Sequence, residues 1–119
     1  MRTMLIVAAG GAAGATIRWT GHEAFEVGSR SVPWPTLAVN VLGCLLIGLA
    51  ARRFPRDSDA WRGLAVGGLG GLTTFSTFAL QTTNLLERDA TAVAAIYVAL
   101  TLLAGFGATE LALGGDDPA

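Results

Sequence analysis

The side chains with most chemistry to offer are packed into one stretch, Gly67-Gly68-Leu69-Gly70-Gly71-Leu72-Thr73-Thr74-Phe75-Ser76-Thr77-Phe78. Four hydroxyls are interleaved there with two phenylalanines, downstream of four glycines. The stretch lies inside an apolar run long enough to cross a bilayer, yet it is built from poor helix formers. Each interior Gly costs a helix about 1 kcal/mol relative to Ala, and the hydroxyls of Thr73, Thr74, Ser76 and Thr77 compete with the helical ladder for nearby backbone groups. An apolar segment that resists staying helical predicts a broken transmembrane helix. Such a break persists only where the freed backbone groups are buried in protein, line a wet cavity or hold an ion. Helix packing is the plainer reading: Gly63, Gly67 and Gly71 are four apart, as are Gly10 and Gly14, which is the small-xxx-small pattern. Phe75 and Phe78 would then be lipid-facing or core aromatics. Packing alone does not call for so many hydroxyls beside them.

Other chemistries find little purchase. No nucleophile–base pairing or metal-ligand spacing occurs within any apolar run, so an enzyme is not expected. Cys44 is the single cysteine, set among Leu and Gly, which excludes an intrachain disulfide and reads as a small buried residue. His22 has no partner at ligand spacing and is expected to be solvated. A net charge of −1 leaves no nucleic-acid footprint.

The chain has 119 residues, 52% hydrophobic and 14% charged, where a soluble domain of this size carries nearer a quarter charged. Four apolar runs emerge. The first spans 3–17 and ends at Arg18-Trp19, an interfacial anchor or a charge at a pore mouth. Residues 20–32 read as a polar loop. Pro33-Trp34-Pro35 opens the second run, to about Ala50, with Asn40 a third of the way in. A carboxamide at that depth must bond across helices or face water, and these alternatives are balanced. An arginine-rich loop follows, then a third run from about Leu64 to Leu86 containing the break. The fourth runs from Ala90 to about Leu113, with Tyr97, Thr101, Gly105 and Thr109 on one helical face. Residues 114–119 read as a disordered tail.

Each run is near the ~20 residues a span requires, so the expected fold is an all-α membrane protein with four transmembrane helices, the third broken near its middle. Both termini would lie on one side, with Arg2, Arg52, Arg53, Arg56 and Arg62; Arg18, Arg30 and Arg88 lie on the other. That weak bias is what insertion in both orientations would leave. Four short helices do not readily enclose a pore, which implies an oligomer.

Three motifs carry a family resemblance over essentially the whole chain: Gly10-Gly11-Ala12-Ala13-Gly14-Ala15-Thr16-Ile17-Arg18, Thr36-Leu37-Ala38-Val39-Asn40-Val41-Leu42-Gly43 and Gly70-Gly71-Leu72-Thr73-Thr74-Phe75-Ser76-Thr77-Phe78. The chain resembles the Fluc (CrcB) family of fluoride channels, and the third motif is the most specific. The resemblance implies an antiparallel, dual-topology dimer with two fluoride pores near its interface. It also implies a structural, untransported sodium ion held by backbone carbonyls of Gly70 and Thr73 from both subunits. Asn40 becomes the pore amide, Phe75 and Phe78 the paired pore aromatics, and Arg18 a vestibule residue. Tyr97, Thr101, Gly105 and Thr109 become a polar track. Fluoride is small and strongly hydrated, so its lost water must be replaced by close donors. The Asn40 amide and the hydroxyls of Ser76, Thr77, Tyr97, Thr101 and Thr109 supply them, and phenyl edges face an anion without trapping it.

Three positions depart from the family pattern. Gln81 stands where a glutamate is usual, Ala79 where a serine is usual, and Gly105 where a hydroxyl is expected. These imply altered gating or proton coupling, or a subunit that pairs with a paralogue carrying the missing groups. A small dual-topology multidrug transporter is the main alternative of another class. It needs an ionisable acid within a span, usually the first, and none lies near the middle of any run. A non-conducting assembly subunit is the remaining alternative.

Overall fold

The computed structural model describes residues 1–114; of the tail expected at 114–119, Gly114 closes the last helix in the left-handed region at φ 91°, and the rest lies outside the described residues. Helix α1 is Arg2–Ala24 and α2 is Trp34–Arg53. Helix α3 covers 61–72, a π-wound segment Trp61–Leu69 closed by one α-turn, Gly70–Leu72. Helix α4 is Phe75–Glu87 and α5 is Thr91–Leu113. The segments Trp34–Arg53, Trp61–Glu87 and Thr91–Leu113 are each long and apolar enough to cross a membrane. Helix α1 has a spanning length at 23 residues.

Two differences from the sequence reading have local causes. The expected loop at 20–32 is helical up to Ala24: the hydroxyls of Thr16 and Thr20 turn back onto the carbonyls of Ala12 and Thr16 at 2.7 and 2.8 Å and so do not compete for the backbone N–H groups ahead. The break is also shorter than the reluctant stretch suggested. Only Thr73 and Thr74 leave the helix, while the glycines before them stay wound, with the Gly70 N–H bonded to the Ala65 carbonyl five residues back. Such wide turns are rare and cluster at functional sites.

The helices pair as α1 with α3 and α2 with α5. The two glycine rows expected from spacing pack against each other. A Cβ on Gly10 would overlap the Gly63 carbonyl oxygen, one on Gly14 that of Gly68, and one on Gly71 that of Gly11. Backbone therefore rests on backbone, as it must where lipid gives apolar side chains no reason to turn inward. The buried set reflects this: Tyr97 is fully enclosed, while Phe75, Phe106 and Leu111 are more than 70% exposed.

The ends are fastened by arginines. At one end Arg2 pairs with Asp59, Arg52 donates to the Ala112 carbonyl at 3.2 Å, and Arg56 lies over the Trp61 ring at 4.2 Å. This places the N-terminus, the 54–60 loop and the end of α5 together, as four crossings require. At the other end Arg30 donates to the Arg88 and Asp89 carbonyls and Arg88 to the Ser29 carbonyl. Helix α4 ends there in a Schellman turn, Asp89 taking φ 57°, with N–H bonds from Asp89 to Leu86 and from Ala90 to Leu85.

Candidate functional site

Interrupting a helix in an apolar slab strands peptide groups on both sides of the gap, and the structure can be followed group by group. Thr74 is extended, with φ −149° and ψ 120°. Its N–H donates to Asn40 Oδ1 at 2.8 Å, and its carbonyl accepts from Asn40 Nδ2 at 3.0 Å. A carboxamide has the donor–acceptor pair of a peptide, so Asn40 stands beside Thr74 as a neighbouring strand would. The two roles left open for this residue meet here: it bonds across helices, and it also lines the adjoining groove.

Upstream of the gap, the Leu69 carbonyl accepts from both the N–H and the hydroxyl of Thr73 at 3.0 Å. The Gly71 carbonyl accepts from Arg18 Nε at 3.1 Å, a cation at the negative end of α3. The carbonyls of Gly70, Leu72 and Thr73 take no hydrogen bond among the described residues. Gly70 is exposed, and a side chain there would meet nothing within 4 Å. Downstream, the Thr77 N–H is capped by the Thr74 hydroxyl at 3.2 Å. That hydroxyl also lies 3.3 Å from Ser76 Oγ and 3.2 Å from Thr77 Oγ1. The gap thus sets unbonded carbonyls beside the positive N-terminus of α4, an arrangement able to hold ions of either sign.

A groove of about 490 Å³ runs past the break, lined by Asn40, Cys44, Gly70, Thr73, Phe75, Phe78 and Thr101 among others. Phe75 and Phe78 meet at 5.9 Å between centroids, tilted by 51°, and Phe78 meets Tyr97 at 5.2 Å. The Thr101 hydroxyl oxygen is wholly buried and has no partner among the described residues. A buried hydroxyl left unbonded costs about 1–3 kcal/mol, so Thr101 is the member of the seam with hydrogen-bonding capacity to spare among the described residues.

The other members of the polar seam go elsewhere. The Tyr97 hydroxyl donates to Gln81 Oε1 at 2.8 Å. Thr109 donates to the Cys44 and Gly105 carbonyls at 3.2 and 3.1 Å. Gly105 faces α2, where a Cβ would come 3.3 Å from Cys44 Sγ. The structure accordingly gathers Asn40, Phe75, Phe78 and Thr101 on one groove with Gly70 and Thr73, and ties Tyr97 and Thr109 to neighbouring helices. Ser76 and Thr77 cluster at the cap. Arg18 lines a separate pocket of about 100 Å³ with His22, Thr36, Thr74 and Thr77.

Sequence reasoning missed Cys44 as a groove residue, although it stands one helical turn after Asn40 and so on the same face of α2. It also missed the Gln81–Tyr97 bond, for which no local signal exists.

Comparison with known proteins adds a family. Residues 5–114 match the family described as CrcB-like protein, Camphor Resistance (CrcB). The chain is 45% identical to a protein of Pseudomonas fluorescens named fluoride-specific ion channel FluC, over 89% of this chain and 90% of that one. It is 42% identical to one of the same name from Rhizobium etli, over 82% of each. A third, from Agrobacterium fabrum, is 39% identical over 96% of this chain and 97% of its own length.

Proposed function

The chain belongs to the CrcB family, and on that premise we propose that it is a fluoride-selective channel through which cytoplasmic fluoride leaves passively. It is a multi-pass membrane protein and not an enzyme. The observation that carries the reading is the groove at the break, where Asn40, Phe75, Phe78 and Thr101 come together, with the unpartnered Thr101 hydroxyl enclosed in its wall. That hydroxyl is a neutral donor without a partner, and its neighbours offer aromatic edges in place of a fixed cation. Fluoride bound by neutral donors and ring edges trades its water for many weak partners and leaves as readily as it enters. A buried arginine in that position would hold it.

Passive conduction is sufficient for protection. Fluoride crosses from acidic surroundings as neutral HF and ionises inside, and an anion pore returns it down its gradient without coupling to ATP or protons.

The unbonded carbonyls of Gly70 and Thr73 fit a structural sodium ion by their hard-oxygen chemistry and their open setting. Bound there, the ion satisfies acceptors that the membrane leaves unmet and adds positive potential near the anion path. Two carbonyls from one chain suit half of such a site, and an antiparallel second copy about a twofold axis supplies the other half. The exposed ring of Phe75 would be covered by the same contact. Replacing all sodium in the assay with N-methylglucamine is expected to abolish fluoride efflux, and restoring sodium to recover it; undiminished flux without sodium would remove the ion from the reading.

The test of the function is efflux from liposomes holding this chain alone, with chloride as control. Fluoride leaves and chloride stays if the reading holds. Folded protein that passes neither ion points to a heteromeric channel whose second subunit is a paralogue, and adding that subunit then restores flux. Thr101→Val sharpens the test, because it keeps the shape and removes the hydroxyl. Fluoride efflux is expected to fall about tenfold, the equivalent of one hydrogen bond to a charged group. Thermal stability in detergent is expected to hold or rise, since an unmet buried hydroxyl disappears. Lower stability with unchanged flux would make Thr101 structural.

A further inference from the structure

Helix α2 carries Leu46, Leu49, Ala50 and Arg53 at helical spacing, so the four stand on one stripe. Facing them, α3 presents Leu64 and Leu69, five apart in the π-wound segment, where the ladder joins residues five apart. Between the two helices lies a groove of about 330 Å³, lined by these six residues and Phe54. Leu49 and Leu64 are exposed, so the groove opens outward. Along α2 the seven residues from Arg53 back to Leu46 carry it about 10 Å inward, roughly a third of the hydrocarbon core. On α3 it reaches Leu69, whose carbonyl takes both the N–H and the hydroxyl of Thr73 at the break.

Arg53 is the single charged residue in that lining, at the end where α2 leaves the apolar slab. The other charges at this end are placed elsewhere. Arg2 and Arg62 pair with Asp59, Arg52 donates to the Ala112 carbonyl, and Arg56 lies over the Trp61 ring. The Met1 amine, Asp57, Asp59 and Glu110 line no part of the groove, and Asp116 and Asp117 fall outside the described residues. Arg53 itself is exposed, with its guanidinium 5.9 Å from the Phe54 ring centroid. It has no ion pair among the described residues. Snorkelling to water accounts for an arginine at the end of a span. It does not account for an apolar groove leading from that arginine toward the break.

We infer that this groove binds one anionic phospholipid, its phosphate paired with the Arg53 guanidinium and an acyl chain laid between α2 and α3 toward Leu69. Guanidinium and phosphate make short, charge-assisted bonds that can be bidentate. A zwitterionic headgroup also offers a phosphate but brings its own cation, so the complement of an unpaired arginine is a headgroup with net negative charge. A second copy of the chain laid on the groove would have to supply an acid to Arg53 from its own surface, whereas the lipid brings anion and apolar chain together. The inference needs the spans and the groove only, and it stands whether or not the protein conducts fluoride.

The experiment purifies the full chain in detergent, adds phosphatidylglycerol or phosphatidylcholine with identical acyl chains, and counts retained lipid by native mass spectrometry. Wild type is expected to retain phosphatidylglycerol about fivefold over phosphatidylcholine, the effect of one arginine at an anionic headgroup. Arg53→Gln is expected to abolish that preference and Arg53→Lys to keep most of it. Arg56→Gln, at the same end but off the groove, is expected to keep it in full. Leu49→Trp fills the groove with Arg53 left in place and is expected to lose the bound lipid. Inorganic phosphate in excess is expected to leave the lipid bound. Equal retention of the two lipids, or a preference that survives Arg53→Gln, overturns the inference. Displacement by phosphate alone would reduce the site to an anion contact without a lipid. Leu49→Trp protein that keeps its lipid but loses its subunit partner would give the groove to a second copy instead.

Discussion

Asn40→Asp is expected to reduce fluoride efflux at least about a hundredfold, an effect of roughly 3 kcal/mol on the transport barrier. The wild-type amide meets both polar groups of Thr74, accepting at 2.8 Å and donating at 3.0 Å. A carboxylate keeps the first bond and turns the second into an oxygen facing an oxygen. It also sets an ionised group inside a membrane span, which costs about 2.5–3.5 kcal/mol at a helix centre, on the wall an anion would pass. Asn40→Ala leaves both Thr74 groups unmet, at about 1–3 kcal/mol each where water cannot reach them, so its loss should appear first in thermal stability. Measuring efflux and melting temperature for both variants separates the two contributions. An Asn40→Asp protein conducting within a few-fold of wild type would show that Asn40 neither holds the break nor faces the path.

The same residue illustrates what the sequence makes legible. That a polar group at the depth of Asn40 needs a partner follows from the cost of burying it, and that the third helix breaks follows from its glycines and hydroxyls. Which backbone group Asn40 meets depends on how α2 and α4 lie side by side, and composition does not encode that distance. The glycine rows themselves were accessible, since spacing alone puts Gly10 and Gly14 on one stripe and Gly63, Gly67 and Gly71 on another; that the two rows meet each other is what the structure adds. The π-wound turns of Trp61–Leu69 left no signal, since Gly and Leu suit either winding. Spacing put the polar seam of α5 on one face and carried nothing about its separate destinations. Tyr97 and Thr109 found acceptors on neighbouring helices, and only Thr101 was left without one. The family resemblance singles out Asn40 and Thr73 for separate roles, and it does not encode the Asn40–Thr74 contact that the structure shows.

Gly14→Ala sets two physical effects against each other, and the structure decides which wins. In an exposed helix the change gains about 1 kcal/mol of propensity. Gly107→Ala, where the added Cβ meets nothing within 4 Å, should realise that gain or stay neutral. At Gly14 the Cβ would overlap the Gly68 carbonyl oxygen and come 2.8 Å from the Leu72 nitrogen. Both are backbone atoms and cannot swing aside as a side chain would. Nor can α3 tilt away about a neighbouring contact, because Gly67 and Gly71 are held as closely against the Val7 and Gly11 carbonyls. The whole α1–α3 seam must open, at a cost above the roughly 1–3 kcal/mol of ordinary overpacking. Opening it draws Arg18 from the Gly71 carbonyl and shifts the break itself, so fluoride efflux should vanish with the fold. The expected result is little or no monodisperse Gly14→Ala protein from detergent, beside normal yield and melting temperature for Gly107→Ala. Equal yields would mean that the seam is looser than backbone contact, and the close packing assigned to these glycines would have to be given up.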